Sequence, residues 1–213
     1  MGLREEKKEH LRTQIYESAI AAFRSRGFDA VRVHEIVGEL SISEPTFYNY
    51  FPTKEAVLDE YALRAVEDFH TLLAALSGRH PREPITTTIS ELMDTLAAVF
   101  ARDTEFMAVV VIRSRLFWGA SGALSERELH TYELLTALFA DAQSVGELRP
   151  ELSPRRLAES LTGAYMLAVA NWLIGWWPEH PPLADILREV GDTLLRGALR
   201  PSGSRGTRHR PLG

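Results

Sequence analysis

The side chains best suited to chemistry lie between Ser41 and Lys54, in the string S-I-S-E-P-T-F-Y-N-Y-F-P-T-K. This segment is rich in hydroxyl and phenol groups, which hydrogen-bond to phosphate oxygens, and it ends on an ammonium group, which attracts them. Asn49 has an amide that can pair with an adenine edge, and the carboxylate of Glu44 can accept from a cytosine amine. The segment therefore suits recognition of a nucleic acid. The candidate contacts, with one arginine upstream, are Arg32, Ser43, Glu44, Pro45, Thr46, Tyr48, Asn49, Tyr50 and Lys54.

Each of these groups also has a structural interpretation, and both interpretations stay open. Tyr48 and Tyr50 could pack against a core, and Lys54 could be a solvated residue in the first turn of a helix. Ser43 could serve only as a helix cap, although a cap can also contact a phosphate. Glu44 could favour the positive end of a helix dipole rather than accept from a cytosine.

Three short helices are predicted to position these groups. Apolar residues recur at helical spacing over residues 11–23, Gly27 follows as a stop, and residues 33–40 have a second apolar stripe. Ser43 can cap the third helix, whose first turn tolerates Pro45. Two short helices joined by a tight turn make a helix-turn-helix, whose second helix would lie in the major groove of DNA.

The remainder of the chain is also predicted to be helical. A long apolar stripe follows Pro52-Thr53 and runs to Ser77, and a loop rich in Gly, Pro and charge reaches Pro84. Val109–Ile112 has strand propensity, but no other segment offers a strand partner, so we assign it to a buried helix. The helices after the loop are predicted at about 85–101, 104–117, 125–145, 153–177 and 183–199.

Composition narrows the class of protein. With 213 residues, 45% of them hydrophobic, the chain can bury a substantial core, and the absence of cysteine excludes disulfides, thiolate metal sites and cysteine nucleophiles. We expect a cytoplasmic protein. The net charge is -5, and the first 53 residues hold seven Lys or Arg against eight Asp or Glu. This balance disfavours indiscriminate nucleic-acid binding but leaves room for a specific site.

Leu161–Trp177 raises the question of a membrane span, because it is apolar apart from Thr162 and Asn171. Its 17 residues sit at the lower limit of the roughly 17 to 25 that a spanning helix needs. We assign it instead to a helix buried in a bundle or at a subunit interface, and we expect no membrane partner.

The segment Leu11–Tyr61 resembles the N-terminal domain of the TetR family of transcriptional regulators. The resemblance rests on the string G-F-D-A-V-R-V-H-E-I-V-G-E-L-S-I-S-E-P-T-F-Y-N-Y-F-P-T-K-E-A-V-L, which begins at Gly27. It implies an all-α fold, with an N-terminal three-helix helix-turn-helix DNA-binding domain and a larger helical C-terminal ligand-binding and dimerisation domain. It also implies double-stranded operator DNA and a small-molecule effector as partners. The matching positions are Gly27, Phe28, Val33, Ile36, Ile42, Ser43, Thr46, Phe47, Tyr48, Tyr50, Phe51, Lys54 and Glu55.

Departures from the family pattern concern the same short helices. Val31 and Arg32 replace threonines, so the second helix needs another first-turn partner, while Arg32 can supply a phosphate contact. Leu40 and Ser41 stand where the family has a small residue and a glycine. Ser41 must then adopt the left-handed angle of the turn, at a cost of about 1 kcal/mol. Glu44 replaces a basic or small residue.

The domain boundaries are predicted from the helix pattern and from the resemblance to the TetR family. Residues 1–53 form the DNA-binding domain, and residues 54–200 form the effector-binding and dimerisation domain, with helix 54–77 as the link. Residues 201–213 are predicted to be a disordered tail, because they are polar and rich in Gly, Ser and Arg.

The C-terminal domain is where dimerisation and effector binding are expected. The resemblance implies a homodimer through the helices at about 153–177 and 183–199, and the second of these has an apolar stripe that could pair in a four-helix interface. Aromatic and soft side chains could line an apolar pocket, or they could simply be core and dimer contacts. The candidate effector-binding residues are Phe106, Met107, Phe117, Trp118, Tyr165, Met166 and Trp172.

An enzyme is the main rival class, and its usual signatures do not occur. His34–Gly38 starts like a zinc-protease helix but lacks the second histidine, and Gly119–Gly122 lacks the spacing of a nucleophile elbow. His130 and Glu133 lie one helical turn apart and could bind a metal, although such a pair is more often a surface pair. We therefore predict no catalytic activity, no cofactor and no metal site.

The predicted function is a repressor that leaves a near-palindromic operator when a small apolar or aromatic effector binds the C-terminal domain. The alternative is a helical ligand-binding or adaptor protein of the same fold that has lost specific DNA binding. The acidic balance of residues 1–53 favours this alternative, whereas the presence of Tyr48, Tyr50 and Lys54 argues against it.

Overall fold

The computed structural model describes residues 2–114 and 126–200. Within these ranges the regular structure is helical, apart from one isolated β-bridge between Leu148 and Leu199. The all-α prediction is thus confirmed, and the predicted tail at 201–213 lies outside the described residues. The helices are α1 (Leu3–Arg26), α2 (Val33–Glu39), α3 (Glu44–Tyr50), α4 (Glu55–Ser77), α5 (Ile85–Ala101), α6 (Thr104–Arg113), α7 (Glu126–Ser144), α8 (Pro154–Leu173) and α9 (Leu183–Ala198).

The observed helix bounds agree with the predicted ones for α5 but not for α6. α5 spans the predicted residues, and Val109–Ile112 lies in helix α6, as the missing strand partner indicated. α6 nevertheless ends at Arg113 rather than at residue 117, because Ser114 adopts an extended backbone conformation. The side chains of Val110 and Val111 are buried, whereas Ile112 is 55% exposed, so the helix is buried on one side only.

α8 ends earlier than predicted. It stops at Leu173, short of the predicted residue 177, because Gly175 adopts a left-handed backbone angle with φ 68°. The N–H groups of Gly175 and Trp176 donate to the carbonyls of Trp172 and Asn171, at 3.1 and 2.9 Å, which is the Schellman pattern of helix termination. The apolar segment Leu161–Trp177 therefore continues for four residues beyond the end of the helix. No helix in the described part of the chain is both long and apolar enough to cross a bilayer.

The described chain divides into two compact units. The first comprises residues 2–69 and 102–114, and it contains α1 to α3, the larger part of α4, and α6. α6 thus shares the core of the helix-turn-helix. The predicted boundary between residues 53 and 54 concerns function rather than packing, and it stays a prediction. The core of this unit includes the buried side chains of Ile15, Phe23, Ile36, Phe47, Phe51, Leu58, Phe106 and Val110.

The second unit comprises residues 70–101 and 126–200, with the end of α4 and with α5, α7, α8 and α9. α5 packs on α9, and α8 packs on both α7 and α9. At Gly191 the approach of α5 to α9 is so close that a Cβ atom would lie 3.1 Å from the Cγ2 of Ile89. This unit is therefore a bundle in which each long helix buries a side against its neighbours.

Candidate nucleic-acid interface

α3 begins at a serine cap. Ser43 has extended backbone angles, and its Oγ accepts a hydrogen bond from the Thr46 N–H at 3.3 Å. The hydroxyls of the same two residues lie 2.8 Å apart and share a second hydrogen bond. Pro45 lies in the first turn, where an N–H would have no partner within the helix. The predicted cap is confirmed, while a contact between Ser43 and a phosphate stays a prediction.

α3 has one buried and one exposed side. Phe47 and, just after the helix, Phe51 are 0% and 1% exposed, so they anchor α3 in the core of the first unit. Tyr48 is 45% exposed, and its ring meets Phe47 edge-on with the ring centres 5.4 Å apart. The exposed side is the one that can enter a DNA groove. Its exposed residues are Glu44, Pro45, Tyr48 and Asn49.

Tyr50 is less accessible than Tyr48. Its side chain is half-buried and packs against the core, and its carbonyl accepts from the Nη1 of Arg12 at 3.3 Å. The structural interpretation thus holds for much of the Tyr50 ring, and its phosphate contact stays a prediction. Sequence reasoning does not single out Arg12, because its partner lies 38 residues away and no local pattern reveals such a contact.

The turn before α3 contains the left-handed residue that the sequence predicts. Ser41 has φ 54°, in the region that favours glycine. The N–H groups of Ser41 and Ile42 donate to the carbonyls of Gly38 and Val37, at 3.3 and 3.1 Å, so α2 also ends in a Schellman pattern. The predicted angle of Ser41 is confirmed. This turn determines the direction in which α3 starts.

α2 begins without a side-chain cap from Arg32 and uses Glu35 instead. The Glu35 carboxylate accepts from the Arg32 backbone N–H at 2.7 Å and from the Arg26 guanidinium at 2.9 Å. The hydrogen bond from the Arg32 N–H lowers the pKa of Glu35 below its usual value, and the charge of Arg26 adds to this effect. Glu35 is therefore the first-turn partner of α2, although it pairs the Arg32 N–H rather than the N–H from which a threonine cap would accept. The side chain of Arg32 is exposed, and its phosphate contact stays a prediction.

Lys54 fastens the start of α4 to the loop between α1 and α2. Its Nζ donates to the carbonyls of Phe28 and Val31, at 2.6 and 3.0 Å, and lies 4.1 Å from the centre of the Phe28 ring. The side chain is half-buried, so it is not the solvated residue of the structural alternative. An ammonium has three N–H donors, so one remains beyond the two carbonyl contacts, and the phosphate contact stays a prediction.

The predicted effector-binding residues of α6 are core residues of the first unit. Phe106 and Met107 are buried there. Phe106 meets the ring of Tyr61 edge-on with the centres 5.0 Å apart, and the Sδ of Met107 accepts from the Tyr61 hydroxyl at 3.8 Å. Packing accounts for both side chains, and their effector role stays a prediction. Phe117 and Trp118 lie outside the described residues.

The predicted effector-binding residues of α8 lie in the second unit. Tyr165 is buried, which raises the pKa of its phenol, and Met166 is half-buried. The Nε1 of Trp172 donates to the carbonyl of Pro181 at 2.9 Å, and its ring stacks on His180 with the centres 5.1 Å apart. The segment after α8 therefore supplies the hydrogen-bond acceptor for the indole N–H of Trp172. Whether these side chains meet an effector stays a prediction.

His130 and Glu133 form an exposed pair on α7. The Nδ1 of His130 lies 3.5 Å from the Oε2 of Glu133, and the two side chains are 52% and 70% exposed. Among the described residues, no group of three His, Asp or Glu side chains could hold a metal ion. The pair thus has the geometry of a surface pair.

Known proteins share both the motif and the fold. The family described as "Bacterial regulatory proteins, tetR family" matches residues 15–61. The HTH-type transcriptional regulator YdgC of Bacillus subtilis, itself uncharacterized, is 35% identical over 199 residues, which cover 91% of this chain and 94% of YdgC. The HTH-type transcriptional repressor KstR of Mycolicibacterium smegmatis is 25% identical over 164 residues, 76% of each chain.

A solved structure extends the likeness to the whole fold. FadR of Thermus thermophilus, a TetR family transcriptional repressor crystallised with lauroyl-CoA, is 25% identical, with a TM-score of 0.70 over 95% of this chain and 100% of FadR. The helix-turn-helix of α2 and α3 is thus joined to a helical remainder of the same kind. With the identity to YdgC extending over nearly the full length, these findings show that the chain belongs to the TetR family of transcriptional regulators.

Proposed function

We propose that this protein is a ligand-responsive repressor, which leaves a near-palindromic operator when a small apolar or aromatic effector binds its C-terminal helices. The observation that carries the proposal is the division of α3 into two sides. Phe47 anchors one side, while Tyr48 and Asn49 project from the other into solvent. A short helix held in this way can present side chains to a major groove without losing its own packing.

The proposed DNA contacts fall into two kinds. Hydroxyl, phenol and cationic groups would bind phosphates and position the protein, whereas Glu44 and Asn49 would read base edges beside the apolar ring of Pro45. The balanced charge of residues 1–53 favours a few specific contacts over a broad cationic surface. The proposed phosphate contacts are Arg32, Ser43, Thr46, Tyr48, Tyr50 and Lys54.

The proposed homodimer forms through α8, its following turn and α9. Leu167, Ile174 and Trp176 are 59%, 57% and 68% exposed, an unusual exposure for large apolar side chains. A partner subunit would cover them. The dimer would place its two copies of α3 in successive major grooves, about 34 to 36 Å apart.

The proposed effector is apolar or aromatic, because buried or half-buried aromatic and thioether side chains dominate the candidate set on α6 and α8. The lauroyl-CoA bound by Thermus thermophilus FadR makes long-chain acyl-CoA thioesters the first compounds to test. Effector binding and operator binding would each weaken the other through α4, the helix that leads from the helix-turn-helix into the second unit.

Selection of duplexes from a random DNA library with the full chain tests the DNA half of the proposal. We expect an enriched, near-palindromic sequence, and we expect Glu44→Ala to relax the preference at one position of each half-site. Glu17→Ala, which removes an exposed carboxylate from α1, is the matched control. Unchanged base preference in Glu44→Ala would leave Glu44 with only its favourable position at the start of the helix.

Titration of the selected duplex with lauroyl-CoA tests the effector half. Linkage requires that an effector which weakens operator binding is itself bound more weakly when operator is present. Equal affinity in both conditions would contradict the allosteric proposal. If no sequence is enriched at all, the result would favour the adaptor or ligand-binding alternative, which the acidic balance of residues 1–53 supports.

A further inference from the structure

Arg12 of α1 contacts both α3 and α4. Its Nη2 donates to the Oε2 of Glu60 on α4 at 2.8 Å, and its Nη1 donates to the carbonyl of Tyr50, the last residue of α3, at 3.3 Å. The guanidinium carbon lies 4.8 Å from the centre of the Phe51 ring. We call these contacts the Arg12 bridge. Through it, one cation joins three helices of the first unit.

The Tyr50 carbonyl needs a partner from outside its own helix. The last four carbonyls of a helix have no N–H to accept from within it, and the helix dipole concentrates negative charge there. Arg12 supplies both a donor and a positive charge at this end. α3 has only 7 residues, with the Ser43 cap at its other end, so this contact adds to the hold of the buried Phe47 and Phe51 side chains on the helix.

Glu60 is held on its other side as well. Its Oε1 accepts from the Nε of Arg64 at 3.1 Å, and the guanidinium carbon of Arg64 lies 4.0 Å from the centre of the Tyr16 ring. Burial raises the pKa of the Glu60 carboxyl, but hydrogen bonds from Arg12 and Arg64 outweigh it and hold the pKa below its usual value. The carboxylate is therefore charged and fixed in direction, so it moves with α4.

We propose that the Arg12 bridge positions α3 for DNA and passes the orientation of α4 on to it. The inference rests on the proposed function, in which α4 carries the effector signal. When α4 turns, Glu60 moves, and Arg12 either follows and shifts the carbonyl end of α3 or releases it. Arg12 and Glu60 act through α3 and are positioning residues.

A pair that merely stabilised the fold would behave differently. Arg12 and Glu60 are 32% and 20% exposed, so this partly buried pair also contributes to stability, and its loss has to be compared with the loss of another ion pair. Arg113 and Asp29 form a control pair in the same unit, with an N–O distance of 3.2 Å and exposures of 49% and 77%. That pair joins α6 to the loop between α1 and α2. Positioning predicts that the two pairs differ in their effect on DNA binding.

A double-mutant cycle on the full chain tests the Arg12 bridge. The dissociation constant for the duplex selected by the wild-type protein is measured for Arg12→Met, Glu60→Gln and the double variant. We expect each single variant to bind on the order of tenfold more weakly, and the double variant to bind no more weakly than Arg12→Met, because the two residues act as one unit. A new selection of duplexes with Arg12→Met should show a weaker base preference at each operator position than the selection with the wild-type protein.

Conservative and control variants sharpen the cycle. Arg12→Lys should recover part of the affinity, since an ammonium can donate to either acceptor but lacks the planar fork that serves both. Arg113→Met with Asp29→Asn should stay within about twofold of wild type, because an exposed ion pair contributes little. Unchanged affinity in both Arg12→Met and Glu60→Gln, or an equal loss in the control pair, would overturn the inference.

Two further measurements separate positioning from folding. Thermal unfolding identifies variants that have lost the fold, and if Arg12→Met is among them, Arg12→Lys and Glu60→Gln decide the question. Amide hydrogen exchange without DNA should accelerate at residues 47–51 in Arg12→Met more than in α2, and equal rates would contradict the bridge. A wild-type chain that selects no duplex would count against the proposed function, while the exchange result would still decide the role of Arg12.

Discussion

α3 and α8 both begin at a serine cap and both adjoin a left-handed turn, although one has 7 residues and the other 20. Ser43 and Ser153 each accept a hydrogen bond from the N–H three residues later, at 3.3 Å in both helices, and a proline lies in both first turns. The turn before α3 and the turn after α8 both have the Schellman pair of hydrogen bonds. They differ at the left-handed position, which is Ser41 in one and Gly175 in the other.

The difference shows that α3, the helix proposed to face DNA, depends on its surroundings more than α8 does. Glycine adopts a left-handed angle without a steric penalty, whereas a serine there costs about 1 kcal/mol. Such a cost persists only where the surrounding packing enforces the conformation. Phe47, which is fully buried, and Ile42, which packs on the same core, provide that packing around Ser41. α8 instead ends through a residue that suits the turn by itself.

Exchanging the two turn residues has the largest expected effect. Gly175→Ser should lower the free energy of unfolding by about 1 to 2 kcal/mol, because it introduces a Cβ atom at a left-handed angle. Ser41→Gly should raise it by about 0.5 to 1 kcal/mol, since the relief of strain exceeds the added freedom of the unfolded chain. Chemical denaturation at fixed protein concentration measures both changes.

A glycine at an ordinary helical angle provides the control for this exchange. Gly38 lies in α2 with open space around it, so Gly38→Ser should change the stability by less than about 0.5 kcal/mol. A destabilised Ser41→Gly variant would mean that Ser41 is not strained, and the contrast between the two turns would disappear.

Removing the serine caps has the next largest effect and separates the two helices by function. Ser43→Ala and Ser153→Ala should each cost about 1 kcal/mol of stability, because each leaves one N–H at a helix start unpaired. Only Ser43→Ala should weaken operator binding beyond what its lower stability explains. Denaturation and duplex titration of both variants provide the comparison. Equal operator affinity for the two would leave Ser43 as a cap and nothing more.

The smallest expected effect concerns pH and contrasts α2 with α3. α3 starts on an uncharged hydroxyl, whereas α2 starts on the carboxylate of Glu35, whose pKa is lowered by the Arg32 backbone N–H. A lowered pKa contributes stability that is complete above the unfolded-state pKa and is lost as the pH falls through the folded-state value. Acidification below pH 4.5, the ordinary value for this carboxyl, should therefore weaken α2 before α3.

NMR protection factors, corrected for the intrinsic pH dependence of exchange, can follow this loss in each helix. Glu35→Gln should remove the pH dependence of α2, because a glutamine has no charge to lose. If α2 in Glu35→Gln still loosens at the same pH as in the wild type, another carboxylate is responsible.

How much could be predicted from the sequence depends on how local each interaction is. The Ser43 cap and the left-handed angle of Ser41 involve residues a few positions apart, and both follow from residue type and spacing. The end of α8 was misplaced because an apolar run conceals Gly175, although glycine is the residue that usually ends a helix. The two backbone contacts of Lys54 could not be predicted, since the carbonyl groups lie 26 and 23 residues away, while its phosphate contact stays a prediction.

In the candidate site, too, some features follow from the local sequence and others do not. Phe47 is buried, whereas Tyr48 and Asn49, which follow it at steps of one helical residue, are exposed, so helical spacing accounts for this division. The effector residues resist prediction because an aromatic ring suits a core and a pocket equally well. Phe106 and Trp172 illustrate this, since neighbouring side chains and backbone carbonyls of their own unit already contact them.

Acylation of Lys54 can report on the start of α4 in the intact protein. The chain contains only three lysines, and the other two, Lys7 and Lys8, are exposed on α1. An acylating reagent must reach the nitrogen itself, and Lys54 is half-buried with its Nζ against the Phe28 ring and two N–H groups donating to carbonyls, so the side chain must move outward before it reacts. Its rate of acylation, compared with that of Lys7 and Lys8 in the same sample, therefore reports how often this attachment opens, with or without DNA and without any substitution.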